Sequence, residues 1–191
     1  MPKYQCLNEN LFFFPPYRIE PLRLEDMHAI KTWRNAQIDA LRQVRPLTDE
    51  DQQTYYAEMV TRSFAEPKPR IILFSFLLGD QCIGYGGLTN IDWDAARAEL
   101  SFLLDPERTS DHNAYASDFS AFITLVKEVA FEQLRFHRLF TETYDLRPWH
   151  VRVLAQSGFE FEGRMRDHVK INGRWVDSLL HGCVRGSDGH V

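Results

Sequence analysis

Cysteine is scarce in this chain. Cys6, Cys82 and Cys183 are odd in number, far apart and form no C-x-x-C pair. That excludes a zinc ribbon and a disulfide framework, and fits reduced thiols in a cytoplasmic protein. Long apolar runs are missing too: none approaches the ~18 residues of a membrane span. The run Leu11–Phe14 falls short of the ~7–15 residues of a signal-peptide core. With a net charge of −5 the chain is not expected to be a general nucleic-acid binder. His137, His150, His168 and His181 fall on separate elements without H-x-x-x-H spacing, so no metal site is expected. A G-x-S-x-G elbow, a P-loop and a dinucleotide fingerprint are all absent.

What is present suits one folded domain. The 191 residues, 44% of them hydrophobic, are enough for a sizeable core. Residues 17–24, YRIEPLRL, alternate apolar and polar and predict a first strand. EDMHAIKTWRN then predicts a short helix, with Met27, Ile30 and Trp33 at helical spacing. Thr48-Asp49-Glu50-Asp51 has the pattern of a capping box before a second helix, about 49–62. Residues 71–91 hold two β-rich runs around Gly79-Asp80, a hairpin turn. Gly84, Gly86 and Gly87 inside the second run predict a bulge or a close approach by another group. RAELSFLLD, 97–105, is a third strand of that antiparallel meander. Phe119, Phe122, Ile123, Val126, Val129, Ala130 and Leu134 form the apolar stripe of a long helix. HRLFTETY, 137–144, is a strand, and RPWHVRVLAQ is a helix closed by Gly158. Asn172-Gly173 joins two final strands. The connection from strand 97–105 through the helix to strand 138–144 makes those strands parallel neighbours. Ligands of such sheets bind at the carboxyl ends of the crossover strands.

This order, with HRLFTETYDLRPWHVRVLAQSGFEFEG near its end, resembles the GNAT superfamily of acyl-CoA-dependent N-acyltransferases. Ser157-Gly158-Phe159, Ala98-Glu99-Leu100 and IKTWRN at 30–35 carry the likeness, which looks nearest to the branch of ribosomal-protein N-terminal and amino-sugar acetyltransferases. The resemblance implies an α+β fold, with a central, mixed but mostly antiparallel sheet of about six to seven strands and about four flanking helices. Residues 17–185 would form that domain, 1–16 an N-terminal extension and 186–191 a disordered tail. It also implies acetyl-CoA as co-substrate and no metal, with no nucleic-acid or membrane partner; a homodimer is compatible with it. Pantetheine would run along Phe102, Leu103 and Leu104. Pyrophosphate would meet Arg108, Ser110, Asn113 and Ala114 at the start of the next helix, where N–H groups and the helix dipole favour anions.

The stretch LLDPERTSDHNAYASDF, 103–119, carries no glycine, and Asp111 and Asn113 stand where the family has small residues. In left-handed backbone each would cost about 1–2 kcal/mol. With the acid near the helix start, phosphate binding would weaken by about one to two orders of magnitude. The stretch is then either a divergent cofactor loop or only a connection. Arg147 replaces a common Asn of the family and would offer a phosphate or CoA contact. Leu154 replaces its usual proton-donating Tyr.

Amine acylation needs a neutral amine, an oxyanion donor, here a backbone N–H near Leu103, and a proton for the thiolate. Glu99 and Glu142 are the candidate bases and Tyr144 the candidate proton donor, each with a structural role as its alternative. Trp33, Arg34, Asn35 and Tyr85 are the candidate acceptor contacts, by stacking and pairing. The expected acceptor is a small-molecule amine, above all a nucleotide-linked amino sugar. A protein N-terminus, and a non-catalytic binding domain of the same fold, remain open.

Overall fold

The computed structural model describes residues 2–186 as one eight-stranded sheet with helices on both faces. Strands β1 (Phe12–Phe14), β2 (Tyr17–Pro21), β3 (Ile72–Leu78), β4 (Gln81–Asp92) and β5 (Arg97–Leu104) follow one another antiparallel. Then come β6 (Arg138–Tyr144), parallel to β5, β8 (Arg174–Val184) and β7 (Glu160–Ile171) at the far edge. The mixed α/β fold is the expected one with an additional strand. That strand, β1, lies in the segment expected to be an extension, and Tyr4, Leu7 and Phe12 of the same segment are buried. The Tyr4 hydroxyl exchanges hydrogen bonds with the N–H and C=O of Leu73, both at 2.7 Å, which fastens the segment to β3. The tail after Gly186 lies outside the described residues.

Local chemistry explains the elements. Gly79 (φ +59°) turns the β3–β4 hairpin, and Asn172 (φ +48°) with Gly173 (φ +80°) turns β7–β8. Helix α1 (Met27–Ala36) buries Met27, Ile30 and Trp33. Helix α2 (Asp49–Tyr55) opens with the predicted capping box and runs through a π-turn into α3 (Thr61–Ala65). A turn that sequence reading missed, α4 (Pro106–Thr109), precedes the long α5 (His112–Lys127). Helix α6 (Pro148–Gln156) ends in a Schellman motif. Gly158 N–H reaches Ala155 O at 3.2 Å and Phe159 N–H reaches Leu154 O at 3.0 Å.

Two apolar cores lie on opposite faces of the sheet. The larger packs α5 and α6 against β3–β6 through Phe76, Phe119, Phe122 and Leu139. The smaller joins α1 to Leu73, Tyr85 and Leu103. The glycines of β4 have a steric cause: a Cβ on Gly86 would collide with the Ser101 carbonyl oxygen.

Candidate active site

Strands β5 and β6 pair only over Arg97–Glu99 with Arg138–Phe140. Beyond that point they part, β5 remaining with β4 and β6 with β8. The Asp105 N–H bonds Ile83 O on β4, so by strand alternation residues 100, 102 and 104 turn their N–H and C=O groups to the gap. The expected oxyanion donor near Leu103 therefore shifts: Leu103 pairs with Tyr85 on β4, and the gap-facing groups belong to Phe102 and Leu104. The Leu104 oxygen already accepts from Gln37 Nε2 at 2.8 Å.

A cavity of about 210 Å³ fills the gap, lined by Glu99, Phe102, Glu142, Tyr144 and Arg147 among others. Five of the sequence candidates thus meet here. Arg34 joins them at the rim and donates to the Tyr85 hydroxyl at 2.6 Å. Trp33 does not reach it, being buried in the smaller core. Asn35 is occupied elsewhere: its amide bonds Leu47 O at 2.9 Å and its oxygen accepts from Leu47 N at 2.8 Å. It holds the loop after α1 rather than facing the cavity.

That loop carries the side chain that sequence reasoning missed. Arg42 grips Glu99 with Nη2 at 2.7 Å and Nη1 at 3.3 Å. The same Nη2 lies 3.3 Å from Glu142 Oε2. Asn90, at φ +46° in the β4 irregularity, also donates to Glu99. Glu99 is buried and committed, whereas among the described residues the Glu142 carboxylate meets only Arg42 and, at 3.5 Å, His168. Glu142 and Tyr144 share one face of β6, two residues apart. Burial, with Glu142 adding to it and Arg42 opposing it, raises the Tyr144 pKa, so its phenol stays protonated at neutral pH.

On the opposite face of the sheet, His150 of α6 lines the same cavity. Its Nδ1 lies 2.6 Å from the Tyr115 hydroxyl, and its ring stacks on Phe119. Burial, reinforced by Arg147 and His181, pushes the His150 pKa well below its ordinary 6.5, so it is neutral. Burial moves Tyr115 up to about 12. Leu154, at the family's tyrosine position, is fully buried in the larger core.

The glycine-free stretch differs from expectation. Neither Asp111 (φ −90°) nor any other residue between 103 and 119 adopts left-handed backbone, so the anticipated strain does not arise. Asp111 instead caps α5, accepting from Asn113 N at 2.9 Å and Ala114 N at 3.2 Å. Ser110 Oγ donates to Glu107 O at 3.1 Å. Arg108 forms a two-pronged pair with Asp118, at 2.7 and 3.0 Å, and Asp118 also accepts from Tyr17 at 2.9 Å. Asp118 is wholly buried, so Arg108 balances an interior charge instead of standing free for phosphate.

The gap nevertheless suits an acyl-CoA. It offers unpaired strand edges to an amide-bearing chain, and Thr141 Oγ1 on its wall is buried without a protein partner. Arg147, with no carboxylate partner among the described residues, lines the same cavity at the N-terminus of α6, a guanidinium able to meet a phosphate group.

Residues 19–180 match the family described as Acetyltransferase (GNAT) domain. The chain is 22% identical over 168 residues to "Uncharacterized N-acetyltransferase p20" of Bacillus licheniformis, covering 87% of this chain and 92% of that one. A second relative, "Probable N-acetyltransferase YjcK" of Bacillus subtilis, is 40% identical over 66 residues, covering 35% of this chain and 36% of its own. Among solved structures, the spermidine N-acetyltransferase from Vibrio cholerae in complex with CoA and spermine superposes with a TM-score of 0.76. It is 16% identical, and the match covers 91% of this chain and 98% of that one.

Proposed function

The chain belongs to the GNAT acetyltransferase family, enzymes that move an acetyl group from acetyl-CoA to an amine, and we propose that its acceptor is a small molecule with a primary amine, held between Glu142 and the β5–β6 gap. The observation that carries this reading is the facing of Glu99 and Glu142 across one cavity, with a single guanidinium between them. The amine nitrogen attacks the thioester carbon, and the oxyanion meets the gap-facing N–H of Phe102 or Leu104. The C–S bond then breaks. Glu142, directly or through one water, takes the proton that the amine sheds. Tyr144 lies on the same strand face and supplies one to the departing thiolate, and it is reprotonated through solvent as Glu142 gives up the proton it took. Glu99 serves differently, as the anchor of Arg42, since Arg42 and Asn90 occupy both its oxygens.

Within small amines, a nucleotide-linked amino sugar is the acceptor we favour. Arg34, Arg42 and Arg147 all line the cavity and suit an acceptor that carries phosphate. The test is thiol release from acetyl-CoA with a panel of amino sugars, polyamines and peptide N-termini. Glu142→Gln is expected to lower kcat/KM by about 100-fold or more, with acetyl-CoA affinity little changed. Full activity of that variant would remove Glu142 from the chemistry. Turnover confined to peptides would replace the acceptor class.

A further inference from the structure

We propose that Arg42 is a specificity residue, making the cavity favour amines that carry an anionic group and reject polycationic amines. This rests on the reading of the cavity as the acceptor site. The charged side chains lining it are two glutamates and three arginines. Arg42 binds both acids at once, at 2.7 Å to Glu99 and 3.3 Å to Glu142, and so cancels much of the negative potential a cation would seek. Among the described residues Arg34 hydrogen-bonds only neutral partners, Tyr85 and Gln43. Arg147 has no carboxylate partner among the described residues, so the remaining field is positive. A second cation could reach Glu99 only by expelling Arg42, which would strip a buried acid of its main partner, and Glu142 alone leaves room for one ammonium. An amine bearing phosphate places its single ammonium at Glu142, leaves Arg42 where it is, and gains the two uncompensated guanidiniums.

Arg42 is placed for this by its loop. Asn35 ties Leu47 to α1, and Asn172 of the β7–β8 turn donates to Asp39 at 2.7 Å on the other side. The loop is thus pinned at both ends, and Arg42, with Leu41 and Tyr144, lines both the active-site cavity and a second one beneath the β7–β8 turn.

The experiment compares glucosamine, glucosamine 6-phosphate and spermidine, by acetylation rate and by calorimetric binding. Wild type, Arg42→Gln and Arg42→Lys are used, each with acetyl-CoA saturating or absent as the readout requires. Glucosamine and its phosphate share one amine, so their ratio isolates the added charge. Wild type is expected to prefer glucosamine 6-phosphate over glucosamine by on the order of ten-fold, and to handle spermidine worst. Arg42→Gln should shift the phosphate-to-spermidine preference by at least ten-fold toward spermidine, while Arg42→Lys keeps most of it. Should Arg42→Gln fail to fold, Arg147→Gln substitutes for it: it removes another cation from the same wall, and an acceptor ratio cancels any loss of donor affinity. Acetylation with no charge preference, or with a preference untouched by these variants, overturns the proposal and leaves the acetyltransferase reading standing. Charge-selective binding that depends on Arg42, without turnover of any amine, upholds the proposal and overturns the acceptor chemistry instead.

Discussion

Two arginines in this molecule do the same chemistry in different company. Arg108 and Arg42 each lay a guanidinium fork across a buried carboxylate, Asp118 in one case and Glu99 in the other. Asp118 sits inside the apolar face of α5, has Tyr17 as a further partner and borders no cavity named above. Glu99 stands on a cavity wall, and its arginine is shared with a second acid. The first pair closes a hole in the interior; the second arranges charge around an opening. An ion pair thus announces a site through its surroundings, not through its own geometry.

The comparison breaks most sharply at Arg108. Arg108→Ala leaves an interior carboxylate with only the Tyr17 hydroxyl, and should cost about 3–5 kcal/mol in denaturant unfolding. A stable variant that merely loses acetyl-CoA affinity would make Arg108 a ligand after all. Arg42→Ala should cost less, about 1–3 kcal/mol, because Asn90 still donates to Glu99 and the cavity admits water. The two unfolding curves, run side by side, measure the contrast.

Lowering the pH probes the cavity from its other face. The folded His150 pKa lies below its ordinary 6.5, so the unfolded chain takes up more protons as pH falls through that value. Stability is therefore complete above about pH 6.5 and declines below it, by up to about 1.4 kcal/mol per pH unit for one such group. His181, lowered mainly by burial, acts in the same direction. The slope should shrink in His150→Gln, read as melting temperature against pH. The smallest effect belongs to the helix cap. Asp111→Gly frees the N–H groups of Asn113 and Ala114 and removes an anion, while glycine caps cost only about a few tenths of a kcal/mol. Acetyl-CoA should bind several-fold more tightly by calorimetry; unchanged affinity would place its phosphates away from this helix start.

The fold was largely legible because its turns are locally encoded. Gly79-Asp80, Asn172-Gly173, Thr48-Asp51 and Gly158 each act within a few residues of themselves. The strand Phe12–Phe14 was not, since three residues before a proline pair hold too little pattern, and its partner supplies the order. The candidate site was legible on its strands, where alternation turns Glu99, Glu142 and Tyr144 toward one cavity. It was illegible in Arg42, whose meaning depends on the loop between α1 and α2 laying its side chain against Glu99 of β5. Arg108 was read through motif likeness alone, and its partner Asp118 was overlooked although the sequence held a warning. Asp118 falls between Tyr115 and Phe122 on the buried face of α5, and a charge there demands a partner.

The parting of β5 and β6 has a mechanical side. Only three residue pairs rivet the meander half of the sheet to the β6–β8–β7 half. A donor molecule that lay in the cleft and bonded to both halves would act as a temporary extra strand. Its occupancy then strengthens the whole sheet by mass action, about 2.7 kcal/mol at a hundred-fold excess over Kd. On that reading the enzyme between turnovers is a sheet with one strand missing, mended each time its co-substrate arrives.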